Sequence, residues 1–178
     1  MADFIRLALY TGCRKTELLG IEWRRIDLGA RLIHLESCHT KTGKRRSVPV
    51  NETAYQALMN RLRWRERYCP ASPWVFCRKD GTRIAAVKRG FATATRRAGI
   101  TDFRIHDMRH TCAAWLVSAG APLPAVRDLL GHSSITMTER YAHLAPEIVR
   151  AAVAVLDRDC HDLVTLDRGR RKEVMLTD

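Results

Sequence analysis

Apolar positions fall at helical spacing from the start of the chain: Phe4, Ile5, Ala8 and Leu9 share a face, and Thr11-Gly12 ends the run. A second short helix is predicted over Thr16 to Leu19. Leu28 to Glu36 carries Leu32, Ile33 and Leu35 after a turn at Gly29, and Arg46 to Val50 alternates again. With Lys41-Thr42-Gly43-Lys44 between them, the two segments read as a basic-tipped β-hairpin. Asn51 caps a helix predicted to reach about Tyr68, Trp74 to Phe76 reads as a short strand, and Lys79-Asp80-Gly81 supplies a turn. Two helices follow, over Ile84 to Ala98 and Asp107 to Ala119.

Beyond Gly120, Pro122 to Leu130 reads as a helix stopped by Gly131, and a short helix from Ser134 leads to Tyr141. The pair has the look of a helix-turn-helix. Pro146 opens a last helix rich in Ala and Val, and Leu163 to Leu166 reads as a late strand in a charged tail. The sum is an α+β domain, mostly helical, with one small antiparallel sheet. The expected division is 1–156 for the folded domain and 157–178 for a C-terminal tail. A helix opening at residue 2 has little sequence to cap it, so preceding sequence is expected to be missing.

Composition narrows the class. A chain of 178 residues with 46% hydrophobic content holds one well-buried core. Its 31 Lys and Arg against 19 Asp and Glu leave a net charge of +12, spread along the chain, which points to an anionic polymer as partner. Six cysteines form no C-x-x-C pair and read as reduced, mostly buried thiols, with Cys112 in the core. Asp3 and Arg6 interrupt the first apolar run, and no stretch approaches the ~20 apolar residues of a membrane span, so a soluble cytoplasmic protein is expected. Trp23, Trp64, Trp74 and Trp115 read as core or edge packing, because nothing in the sequence pairs them with a basic stripe.

The candidate chemistry begins at His106-Asp107-Met108-Arg109, where a helix would put an imidazole and a guanidinium on one face. By itself this spacing is common. It is followed by Leu130-Gly131-His132-Ser133-Ser134 and, nine positions after His132, by Tyr141. The string LLGHSSITMTERYAHL resembles the C-terminal signature of the tyrosine recombinases, or phage integrases. TGCRKTELLGIEW at 11–23 resembles their N-terminal catalytic box, and HTKTGKRRSVPV the hairpin between. The elements stand in the family's order over most of residues 1–156.

Carried over position by position, the resemblance implies that Arg14 is the first catalytic arginine and Lys41 the hairpin lysine. It implies that His106 and Arg109 are the H-x-x-R pair, His132 the following histidine, Tyr141 the nucleophile and Glu17 a supporting acid. Lys44, Arg45 and Arg46 are expected on DNA. The physics of phosphoryl transfer suits these types: guanidinium forks match the oxygens of a five-coordinate phosphorane and stay charged. Lys41 is the expected general acid at the leaving 5′-oxygen, and the two histidines titrate near neutrality. Neighbouring cations are expected to ease ionisation of the Tyr141 phenol, whose ordinary pKa is near 10. The product would be a 3′-phosphotyrosyl ester, formed without metal or other cofactor, on double-stranded DNA.

A homo-tetrameric synapse assembled from monomers is the further implication, with the tail from about Pro146 packing on a neighbouring protomer. The competing readings are a non-catalytic helix-turn-helix DNA-binding regulator, which leaves Arg14 and Lys41 without a role, and a type IB topoisomerase-like enzyme. The family's N-terminal core-binding domain has no counterpart in these residues, so weak, salt-sensitive DNA affinity is expected.

Overall fold

Helix α1 (Ala2–Thr11) is the hub, packing along α3 (Glu52–Tyr68) on one side and α5 (Asp107–Ser118) on another. The structure is a computed structural model and describes residues 1–36, 45–144 and 153–154. Phe4 and Leu7 of α1 are buried with Ala54, Ala57 and Leu58 of α3 and Met108 of α5. Burying the Phe, Leu and Met side chains contributes ~1.5–3 kcal/mol each, which makes this seam a main fastening of the fold. The Asn51 side chain accepts from the Ala54 amide at 3.0 Å and so starts α3 where the sequence places it.

A three-stranded antiparallel sheet, in the order β1 (Ile26–Asp27), β2 (Leu32–Leu35), β3 (Arg46–Pro49), lies against that core. Ile33 pairs with Val48, and both are fully buried, so register and core agree. Strand β1 is absent from the sequence reading, since two residues carry no alternation. Residues 37–44, including Cys38, Lys41 and Lys44, lie outside the described residues, as do the predicted helix from Pro146 (save 153–154), the late strand at 163–166 and Cys160.

Two other expectations are corrected. The helix expected from Ile84 is α4 (Lys88–Arg97). A bridge between Cys77 and Arg83 and a bond from the Ile84 amide to the Phe76 carbonyl (2.9 Å) hold residues 83–84 extended. Trp74 to Phe76 is no regular strand: Trp74 makes only an isolated bridge, to Glu22. Two of the tryptophans, Trp64 and Trp74, also have cationic company. The Arg61 guanidinium lies 4.4 Å from the Trp64 ring centre and Arg83 5.1 Å from that of Trp74, while Trp115 is 49% exposed against Tyr10.

A second, smaller apolar cluster joins α5 to α6 (Leu123–Leu130) and to Tyr141, two residues past α7 (Thr136–Glu139). It comprises Ala113, Val117, Val126, Leu130 and Tyr141. Pro122 precedes α6 and Gly131 ends it in the left-handed conformation (φ 65°), as the sequence predicts. Cys13, Cys69, Cys77 and Cys112 are all buried and unbridged, in keeping with the expected reduced thiols.

Candidate active site

The site is assembled at two glycine turns. Gly12 ends α1 with φ 63°, and a Cβ there would stand 2.4 Å from Leu130 Cδ2, so only glycine brings α1 this close to the end of α6. The turn places Arg14 at the N-terminus of α2 (Lys15–Leu19). There the Arg14 backbone N–H donates to Glu17 Oε2 (2.7 Å) and its Nη1 to Glu17 Oε1 (2.8 Å). Arg14 Nη2 reaches the Gly131 carbonyl at 3.4 Å.

Glu17 is fully buried and accepts from a second arginine, Arg46 of β3, at both oxygens (3.0 and 2.8 Å). Arg46 Nε also donates to the Leu129 carbonyl at 3.2 Å. Burial alone would raise the Glu17 carboxyl, but the hydrogen bonds and charge of Arg46, with Arg14 added, hold it below its ordinary 4.5. The guanidinium expected on DNA at position 46 is therefore turned inward, with its side chain 10% exposed. Its exposed neighbour Arg45 borders a cleft of about 460 Å³ with Arg127, His132 and Ser133.

Arg109 projects from α5 and is 4% exposed. Its Nη1 donates to the Gly12 carbonyl (2.8 Å) and Nη2 to the Leu130 carbonyl (2.6 Å). Burial, then repulsion from Arg14, pulls its pKa down to about 10, so it remains a cation at neutral pH. Beyond Gly131, His132 Nδ1 meets Thr138 Oγ1 at 2.8 Å, which leaves proton chemistry at this ring to Nε2. Burial, then Arg109 and Arg14, pushes the His132 pKa to about 4. His106, just before α5, is shifted down by burial and then by His110 and Arg109.

Arg14, His106, Arg109, His132 and Tyr141 line one cleft of about 270 Å³. All five are legible in the sequence motifs; His110 and Arg140, which line the same cleft, are not among the residues those motifs mark. The His110 ring stands edge-on to His106 with centroids 4.8 Å apart, and its Nδ1 is hydrogen-bonded to the Tyr141 hydroxyl. Its signal was available: it lies one helical turn beyond His106. Tyr141 is only 8% exposed, and burial raises its phenol pKa against the opposing charges of Arg140 and Arg109. The expected easing of ionisation by neighbouring cations is thus outweighed by burial. Cys13 and Cys112 beside the site are pushed up to about 11 by burial and stay thiols.

A mostly helical domain whose small sheet braces a cleft of arginines and histidines around a tyrosine has the fold of a tyrosine recombinase catalytic domain. The chain belongs to the phage integrase family, whose pattern matches residues 2–147. It is 35% identical to the integrase of Salmonella phage P22 over 159 residues, covering 82% of this chain and 40% of that protein. It is also 35% identical to the tyrosine recombinase XerC of Corynebacterium glutamicum, covering 79% of this chain and 46% of the relative. The chain thus spans less than half the length of these relatives. Among solved structures, the catalytic domain of bacteriophage HP1 integrase superposes with a TM-score of 0.62 at 27% identity, over 85% of this chain and 79% of that one. The Tn1549 transposon integrase, solved with a circular intermediate DNA, gives 0.70 at 26% identity, over 86% of this chain and 58% of that one.

Proposed function

We propose that this chain carries the strand-cutting and rejoining chemistry of a site-specific DNA recombinase. The observation that carries the reading is the single cleft lined by Arg14, His106, Arg109, His132 and Tyr141, a phenol among cationic and imidazole groups. Arg14 and Arg109 hold the non-bridging oxygens of the scissile phosphate, with N–H groups beyond those spent on Glu17 and on the Gly12, Leu130 and Gly131 carbonyls. Tyr141 attacks phosphorus, the bond to the 5′-oxygen breaks, and Lys41 gives that oxygen its proton. The bond energy kept in the 3′-phosphotyrosyl ester lets a second strand's 5′-hydroxyl reverse the step, so that two duplexes exchange ends.

Glu17 and Arg46 act behind this front by fixing Arg14. Double-stranded DNA is the substrate, with Lys44 and Arg45 on flanking phosphates, and four copies form the synapse through a tail from about Pro146. The relatives' names, integrase and tyrosine recombinase, support this class. Among the described residues no helix is long and apolar enough to cross a membrane, and the proposed place of action is the cytoplasm. The test is to incubate the protein, in EDTA, with a nicked suicide duplex that traps the cleaved state. A denaturant-resistant protein–DNA adduct that Tyr141→Phe abolishes is the expected result. DNA binding with no adduct overturns the reading in favour of a regulator.

A further inference from the structure

We infer that His110 is a catalytic residue, the general base that takes the phenolic proton of Tyr141; the inference rests on the nucleophile assigned above. Three placements carry it. His110 Nδ1 is hydrogen-bonded to the Tyr141 hydroxyl, His110 lines the same cleft as the two arginines, and its ring is set edge-on against His106 one turn earlier on α5.

The other groups of the cleft leave this job open. Arg14, Arg109 and Arg140 stabilise negative charge but have no lone pair with which to accept a proton. His132 commits Nδ1 to Thr138, and among the described residues its remaining nitrogen makes no hydrogen bond to the Tyr141 hydroxyl. The His106 ring packs on that of His110, and among the described residues the hydrogen bond to the Tyr141 hydroxyl comes from His110. A buried phenol with a raised pKa cannot rely on prior ionisation, so its proton has to leave as the bond to phosphorus forms.

The step balances. The Tyr141 O–H bond breaks with its proton passing to His110 Nδ1, the oxygen bonds phosphorus, and the bond to the 5′-oxygen breaks with its electron pair going to that oxygen. The leaving oxygen is protonated by Lys41. In rejoining, His110 returns its proton to the phenolic oxygen as the ester opens. Neutral His110 must then carry its hydrogen on Nε2. The groups facing it are His106 and Arg109 from its own helix, Arg14 from the start of α2, His132 after α6, and Arg140 and Tyr141 after α7. All but the tyrosine are cations or can become so, and the incoming phosphate offsets them when His110 takes up charge.

The test compares the wild-type chain with His110→Asn, which keeps a hydrogen-bonding group near the Nδ1 position but cannot take the proton. Adduct formation on the suicide duplex should slow by about 10²–10⁴-fold, the usual worth of general base catalysis. The rate of the variant should climb with pH toward the phenol's own ionisation, and free imidazole should restore part of the rate to His110→Ala. Replacing the leaving 5′-oxygen by sulfur should rescue Lys41→Ala but not His110→Asn. A His110→Asn protein that cleaves at the wild-type rate overturns the assignment and leaves His110 a packing residue.

The two proposals fail separately. No adduct from the wild-type chain sinks the recombinase chemistry, and the contact is then decided without DNA by ¹⁵N NMR of the wild-type protein. An unprotonated Nδ1 at His110 whose resonance moves in Tyr141→Phe supports the base, whereas an Nδ1–H donating to the phenol overturns it.

Discussion

Glu17 Oε2 and Arg46 Nη2 lie 2.8 Å apart, the carboxylate wholly shielded from water and the guanidinium nearly so. This pair fastens β3 to the start of α2 and keeps Arg14 aimed at the cleft. Removing one partner strands the other: Glu17→Ala leaves Arg46 buried without a counter-charge. It should cost about 3–5 kcal/mol of stability, read by urea denaturation. Glu17→Gln keeps the shape and some hydrogen bonds and should cost less, while still slowing adduct formation through a loosened Arg14.

Gly12→Ala should destabilise the fold by more than ~1 kcal/mol, because alanine is strained at φ 63° and its methyl would meet Leu130. The Gly12 carbonyl is an acceptor for Arg109, so adduct formation should fall further than the loss of folded protein explains. Thermal melts alongside single-turnover cleavage separate the two effects.

Acid should unfold this protein early. The folded pKa of His132, about 4, lies below its ordinary 6.5, so between those values the unfolded chain binds more protons and stability rises with pH. Glu17 acts in the same sense lower down. Its folded pKa is depressed, so the stability it contributes is present above 4.5 and is lost as pH falls below that value. Denaturation midpoints measured from pH 4 to 7.5 should climb and then level off. A two-dimensional NMR titration should place the His132 midpoint near 4 without DNA and higher with it.

Tyr141→Phe should eliminate the covalent adduct while leaving equilibrium DNA binding nearly unchanged. The ring keeps its apolar neighbours Ala113, Val117 and Leu130 and loses only the hydrogen bond to His110, at a stability cost of ~0.5–1.5 kcal/mol. Calorimetric melting and a gel-shift series check both halves.

Much of this architecture is legible in local patterns. Thr11-Gly12, Asn51 and Gly131 mark helix ends by their backbone and capping chemistry, and α1, α3, α5 and α6 fall within a few residues of where periodicity puts them. The failures occur where distant residues decide. Ile84 to Val87 have helical composition, yet the bond to Phe76 holds Ile84 extended. Arg46 reads as one more cation of a basic hairpin, and only Glu17, 29 positions away, turns it inward. His110 is adjacent to a motif that was read, but its partner lies 31 positions further on, across a helix pair whose packing no spacing rule specifies.

Arg109 holds the carbonyls of Gly12 and Leu130 with two separate nitrogens, and so joins the ends of two helices far apart in sequence. The proposed phosphate clamp is thus also a keystone. An alanine at this position removes a reagent and a brace at once, and no rate measured on it isolates the chemistry. Conversely, a chain able to hold Arg109 in place has already folded its helices together, which couples readiness for the proposed strand cutting to completion of the domain.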